Sequence, residues 1–286
     1  MPLRADDLVF CAGNHLATPF LDRVAAASAA GYRGVSILPY EVDLLGAQGV
    51  TIDDLRGRVA DAGLEISELD AITTWLPGHA PPDYFPKELA AGLAGNTPEN
   101  LCALGGAIGA RSVNVVEFYG HAVDTDAAAE AFAHVCDVAA PHDLLVHLEF
   151  LPWAGIPDLE AGWQIVQRAD RANGGLLVDS WHFFRSGSTL EQLRAIPGHR
   201  VNYVQIDDAP ATPEADLSDE TQHRRLLPGQ GDLDIVGLLR TLRDIGCEAP
   251  IGPEVFSDEL ASQPVDAVAK TIAEATRSVL SVARRP

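Results

Sequence analysis

The sequence predicts an α/β fold, a (β/α)8 TIM barrel forming a single domain over residues 1–286. Three observations lead there. Short β-branched or apolar runs alternate eight times with Ala- and Leu-rich segments of helical period. No GxGxxG follows the first run, which argues against an open doubly wound sheet. The chain has 286 residues, which suits one barrel of about 250 residues with longer loops.

The elements follow in order. Residues 8–11 form the first predicted strand. Thr18 or Asp22 opens a helix that sets Leu21, Val24, Ala25 and Ala29 on one face. Residues 35–38 are the second strand. A helix over 52–62 opens at Thr51 and ends at Gly63, and residues 64–69 are the third strand. Helices over 98–109 and 124–139 lead to strands at 112–118 and 144–150. A helix at 159–172 precedes the sixth strand, 176–180, and a short helix at 190–195 precedes the seventh, 201–206. A helix at 235–245 leads to the eighth, 251–256. The last helix carries Val265, Val268, Ile272 and Val279 at near-helical spacing, and Pro264 suits its first turn. Two long stretches read as irregular. Residues 77–96 hold four prolines, three glycines and the aromatic pair Tyr84 and Phe85, and residues 209–231 follow the seventh strand. Loops this long are often functional, and both are expected as lids.

The apolar share is 47 %, enough for a packed core. Acidic residues number 41 against 20 basic ones, a net charge of −21. That balance repels phosphate backbones and anionic bilayers, so neither nucleic acid nor a membrane is an expected partner. Residues 1–10 lack a signal-peptide pattern, and no apolar run approaches the ~20 residues of a membrane span, so the expected location is cytoplasmic. Cys11, Cys102, Cys136 and Cys247 form no CxxC pair and read as buried thiols.

In such a barrel the site lies at the C-terminal ends of the strands. Strand five, LLVHLEF, puts His147 and Glu149 on one face. Strand six, LLVDSWH, ends at Asp179, with His182 close behind. Strand seven, VNYVQIDD, puts Gln205 and Asp207 on one face, and strand eight, IGPEVF, carries Glu254. A lone carboxylate at a strand end usually caps a helix or joins a loop ion pair. Four oxygen-bearing groups at four successive strand ends are harder to explain so. Crowded carboxylates repel and raise one another's pKa, and a divalent cation removes that conflict. Glu149, Asp179, Gln205 and Glu254 offer only oxygen donors, which suits one Mg2+ or Mn2+ better than zinc.

At these residues the chain resembles the xylose-isomerase-like superfamily, in particular its sugar phosphate isomerase/epimerase group. The motifs that carry the resemblance are HLEF, VDSWHFFRSG, VQIDDAP, RLLPGQGDLD and PEVFSDE. It implies metal ligation by Glu149, Asp179, Gln205 and Glu254, a substrate-oxygen contact from His182, and Arg225 reaching into the pocket. It also implies that barrel ends can pair into a homo-oligomer. Sugar epimerases of this group commonly carry His where this chain has Gln205, and in that it is similar to 3-dehydroshikimate dehydratases. The dehydratase pattern after Glu149 is not evident in FLPWAGIPDLE.

The expected chemistry is isomerisation or epimerisation of a keto-sugar, cyclitol or related polyol, by proton transfer next to a carbonyl through an enediolate that the metal stabilises. Glu149 and Glu254 are the catalytic acid–base pair, and His182 hydrogen-bonds the developing oxyanion. Arg225, Trp181, Asp207 and His15 are expected at the substrate, Trp181 by stacking on an apolar sugar face as Trp75 and Trp153 could. Glu41, Glu68 and Glu117 lie near other strand ends. Two other readings stand beside this one: a metal-dependent dehydratase of a keto-cyclitol or dehydroshikimate-like ring, and a non-catalytic sugar-binding or partner subunit.

Overall fold

A computed structural model of the protein describes residues 3–78, 81, 87–117 and 119–285. Among them, eight strands form one sheet in sequential order. They are β1 (Val9–Phe10), β2 (Gly34–Ile37), β3 (Glu65–Ile72), β4 (Ser112–Val116), β5 (Leu145–Glu149), β6 (Gly174–Asp179), β7 (Val201–Ile206) and β8 (Ile251–Pro253). Every neighbouring pair is parallel. A parallel bridge from Leu8 to Ile251 closes the sheet into a barrel. The predicted (β/α)8 architecture is therefore the observed one.

The main apolar core lies where the helices pack on the sheet, with Phe10, Leu69, Val113, Leu148, Val178 and Ile206 among its strand residues. The opposite strand faces supply a smaller cluster of Leu3, Val9, Cys11, Leu177 and Tyr203. Side chains two residues apart on a strand share a face, so this inner face continues along each strand. Leu177 pairs with Tyr203, and two residues on, Asp179 pairs with Gln205. One strand face thus runs from apolar to polar toward the C-terminal ends. Glycine is required at residue 252, because a Cβ there would sit 2.6 Å from Cys11 Sγ and 2.9 Å from the Tyr203 hydroxyl.

The seam between β8 and β1 is short of ladder bonds, and Asn14 completes it. Its Nδ2 donates to the Pro253 carbonyl (2.8 Å) and its Oδ1 accepts from Val255 N–H (2.7 Å). This is why β8 ends at Pro253 rather than at the expected residue 256, leaving Glu254 just beyond the strand. Strand β3 in turn runs past the expected residue 69 to Ile72. Glu68, expected near a strand end where it could line the pocket, is buried within this strand.

Five α-helices among the described residues were not expected, the shortest of them Asp258–Ala261. Pro39–Ala47 starts at a proline, and Glu41 closes its first turn by accepting from Leu38 N–H (3.0 Å). Glu41 also pairs with the buried Arg23 (2.7 Å), which gives it a packing role rather than one in the pocket. Ser180–Arg185 begins directly at the end of β6. Lys87–Leu93 and Leu217–His223 lie inside the two stretches expected to be irregular. Tyr84, Phe85 and Phe118 are outside the described residues. No helix among the described residues is long and apolar enough to cross a membrane. Cys11, Cys102 and Cys136 are buried free thiols, and Cys247 is partly buried.

The segment after β7 is pinned rather than loose. Asp208 and Leu226 exchange both backbone hydrogen bonds. The Asp208 carboxylate accepts backbone N–H bonds from Ala209 (2.9 Å), Gly229 (2.9 Å) and Leu233 (3.1 Å). Asp208→Ala is expected to cost about 3 kcal/mol of stability, since it strands buried N–H groups that a carboxylate now satisfies. Denaturant unfolding measures the loss, and limited proteolysis should open residues 209–233 first.

Candidate metal centre

Glu149, Asp179 and His182 meet at the C-terminal ends of β5 and β6, with ligand atoms all within 4.8 Å of one another. Local structure sets this up. Asp179 caps the helix after β6, its Oδ1 accepting from His182 N–H at 2.9 Å, so one residue both ends the strand and aims His182. His182 Nε2 lies 3.5 Å from Glu149 Oε1. The sequence pattern assigned His182 to the substrate; the structure sets it beside the carboxylates as a nitrogen donor.

Gln205 stands beside Asp179 in register and is buried. Its Oε1 has no hydrogen-bond partner. A buried amide oxygen without a donor is costly, and a cation satisfies it. Glu254, just beyond β8, is connected to Asp179 through Arg225: its Oε2 is 3.9 Å from Arg225 Nη1. Glu149, Asp179 and His182, with the unpartnered amide oxygen of Gln205 beside them, therefore present donor chemistry that fits a divalent ion, whereas Glu254 lies outside the group whose ligand atoms are within 4.8 Å of one another.

The charges point the same way. Burial, then the charges of Asp70 and Asp179, push the Glu149 carboxyl up to about 8. Burial also raises Glu254 well above the carboxylate range, with Arg225 opposing and Glu149 adding to the rise. Asp179 goes the other way. Burial would raise it, but the Arg225 guanidinium, His182 and its hydrogen bonds hold it below the usual value. Burial lowers His182 to about 3, with Arg225 assisting and Asp179 opposing. The site thus holds one carboxylate kept low by its partners and two that burial raises although Arg225 and, for Glu149, Asn114 oppose the rise.

Arg225 does not reach toward a ligand. Nη1 donates to Asp179 Oδ2 (2.8 Å), Asp207 Oδ2 (2.6 Å) and the Glu254 carbonyl (3.2 Å). Nε donates to the Thr221 carbonyl (3.0 Å), and Nη2 to Thr221 Oγ1 (2.7 Å) and to His182 Nε2 (3.3 Å). Three other residues expected at the substrate are likewise engaged by protein groups. Asp207 is fully buried and held by Ser180 Oγ (2.6 Å) and Arg225. Trp181 is fully buried, donating Nε1–H to Glu220 (3.0 Å), so it offers no face to a sugar. His15 has its ring nitrogens on Thr18 Oγ1 (2.8 Å) and the Gln263 carbonyl (3.0 Å), which makes it a loop tie. Trp153 remains available: it is half-buried, with its ring centroid 5.6 Å from that of His182.

Two residues beside the centre escaped the reading of the sequence. Asn114 on β4 donates Nδ2–H bonds to both Glu149 Oε2 (2.8 Å) and Asp70 Oδ1 (2.9 Å). The available signal was alternation, which puts Glu68 and Asp70 on one face of β3 and Ser112 and Asn114 on one face of β4. Glu68 instead pairs with His147 (2.6 Å) in full burial. Glu117 closes loops by accepting N–H bonds from Tyr119 (2.9 Å), Gly120 (3.3 Å) and Gly155 (2.6 Å).

Fold and site together define a barrel whose mouth gathers side chains that could hold a metal ion. The chain belongs to the xylose isomerase-like TIM barrel family, whose model matches residues 24–279. It is 33 % identical over 155 residues to an inosose isomerase of Bacillus velezensis, a match covering 54 % of this chain and 54 % of that protein. It is 32 % identical over 140 residues to a 3-dehydroshikimate dehydratase of Pseudomonas aeruginosa, covering 49 % of this chain and 22 % of that protein. The chain thus spans about half the length of the inosose isomerases it matches, and less of the dehydratase. Its fold is similar to the crystal structure of the IOLI protein with a bound zinc atom, at a TM-score of 0.82 and 21 % identity over 96 % of this chain and 98 % of that one.

Glu254→Gln is expected to raise the melting temperature of the metal-free protein by about 2 °C, because burial raises this carboxyl despite Arg225 and so opposes folding at neutral pH. Added Mn2+ should then stabilise the wild type more than the variant. Calorimetric scans with and without the ion check both orders.

Proposed function

We propose that the chain is a divalent-metal-dependent isomerase or epimerase of a keto-sugar or cyclitol. The observation that carries this reading is the unequal setting of two carboxylates beside one cluster of donors. Glu149 Oε2 is held by a neutral amide, Asn114, whereas Glu254 faces the Arg225 guanidinium. Neighbouring acids whose surroundings differ in this way suit the two ends of a proton transfer. The similarity to inosose isomerases supports a cyclitol or sugar substrate, and the bound zinc of the similar IOLI structure supports a metal.

Glu149, Asp179, Gln205 and Glu254 would hold the ion, with His182 within reach. Mg2+ or Mn2+ suits this mainly oxygen set, and one nitrogen donor favours Mn2+ of the two. Such an ion, when bound, stabilises negative charge that develops on substrate oxygens. The remaining steps belong to the protein. One carboxylate takes the proton from the carbon next to the carbonyl, and the other returns a proton to the opposite face, which inverts that centre. Asn114 keeps Glu149 in one orientation through the exchange. His182 Nε2, 3.5 Å from Glu149 Oε1, would stand beside that carboxylate as the nitrogen donor. Arg225 keeps Asp179 ionised and fixed.

A second reading, dehydration of a dehydroshikimate-like ring, is favoured by Gln205 and by the similarity to the P. aeruginosa dehydratase. It uses the same carboxylates, one of them protonating a departing hydroxyl.

Solvent exchange separates the two. With Mn2+ in D2O, inosose should gain deuterium next to its carbonyl without loss of water. Glu149→Gln should slow that exchange by ~10²–10⁴-fold, and a chelator should abolish it. Full exchange by Glu149→Gln contradicts the proposal, and loss of water with a new conjugated absorbance from 3-dehydroshikimate selects the dehydratase.

A further inference from the structure

Beside the candidate metal centre, on the β3 side of Glu149, lies an acid that no step of the proposed reaction uses. Asp70 is half-buried on β3, and Asn114 is 1 % exposed on β4. The two hydrogens of Asn114 Nδ2 go to Asp70 Oδ1 and Glu149 Oε2 at 2.9 and 2.8 Å. Asp70 is therefore tethered one amide away from the proposed acid–base residue.

The valences this group leaves open are all of one kind. Asn114 Oδ1 is buried and has no hydrogen-bond partner. It belongs to the amide whose Nδ2 touches both carboxylates. Asp70 Oδ2 meets no donor among the described residues, since the bond from Asn114 falls on Oδ1. These are acceptors that lack donors. A ligand hydroxyl brings the hydrogen they need, and a carboxylate or phosphate brings another acceptor and another negative charge. Arg225 cannot balance such a charge, because its N–H groups are committed to Thr221, Asp179, Asp207 and His182.

We infer that Asp70 and Asn114 form a hydroxyl-binding subsite that admits an uncharged polyhydroxylated ring and rejects a similar ring bearing a carboxylate. The inference rests on the reading of this barrel mouth as the substrate end of a cyclitol or sugar enzyme, and it narrows that reading to neutral substrates. Asp70 is the specificity-determining residue. A site built to bond a hydroxyl discriminates strongly, since a ligand without that group leaves buried acceptors unpaired, and a like charge adds repulsion.

The test uses two non-reacting rings and the full-length chain loaded with Mn2+. Calorimetric titration compares myo-inositol, which is uncharged, with quinate, which carries a carboxylate. The wild type is expected to bind myo-inositol at least tenfold more tightly than quinate. Asp70→Asn keeps the shape but turns an acceptor into a donor. It should weaken myo-inositol at least tenfold and bring the two affinities level or reverse them. Asp70→Ser is the second variant, and thermal unfolding confirms that each is folded. If Asp70 only props up Glu149, both rings weaken together and the ratio stays put, which overturns the inference. So does a wild type that prefers quinate, or one that binds no myo-inositol at millimolar concentration. A wild type that exchanges deuterium into inosose but treats the two rings alike loses the subsite and keeps the isomerase. One that discriminates but exchanges no deuterium keeps the subsite and loses the isomerase.

Discussion

The Arg225 guanidinium sits between the two carboxylates of Asp179 and Asp207, and the rest of the barrel mouth is arranged around that contact. Its aromatic neighbours, Trp181 and Phe256, stand 5.7 and 5.2 Å from the guanidinium carbon and keep water away. A buried ion pair of this kind is weak evidence for stability, because desolvation offsets much of the attraction. Its contribution is position. Arg225 comes from the segment after β7, Asp179 from β6, and the carbonyl that Arg225 also binds comes from Glu254 beyond β8. One side chain therefore holds three successive strand ends in register with one another.

Away from Arg225 the balance of charge is reversed. Glu149, Glu254, Glu68 and Asp70 are acids that burial raises above their ordinary values. Glu68 finds a partner in His147, which burial drops to about 3, and the two share a hydrogen bond of 2.6 Å. Glu149 and Glu254 have no such outlet. Groups that would lower the free energy of the fold by becoming neutral mark a place where function opposes stability. In this barrel that opposition is concentrated at the site that fits a cation.

The loops that frame the site are held by acids of a different sort. Glu117 and Asp208 accept backbone N–H bonds across separate loops, and Glu220 accepts from Trp181, Arg185 and the backbone of Glu214. Each is a buried carboxylate whose role is to fix backbone. Supporting groups of this type keep ligating side chains close to one geometry, which a site built on long loops otherwise lacks. The segment after β7, expected from its length to be a lid, is accordingly tied down at Asp208 and Arg225.

By itself the sequence determined the eight-fold strand and helix alternation and the strand ends carrying Glu149, Asp179, Gln205 and Glu254, because hydrophobic period is a local property that each segment displays alone. It also displayed His182, Arg225, Trp181, Asp207 and His15, but not the protein groups that each of them meets in the fold. Which polar residue faces a ligand and which faces another protein group depends on partners far away in sequence. Arg225 meets Asp179 across 46 positions, and Asn14 meets Val255 across 241. Asp70 and Asn114 look like ordinary surface polar residues until β3, β4 and β5 are laid side by side. Only tertiary structure decided those pairings, since burial and the choice of partner exist only once the barrel has closed.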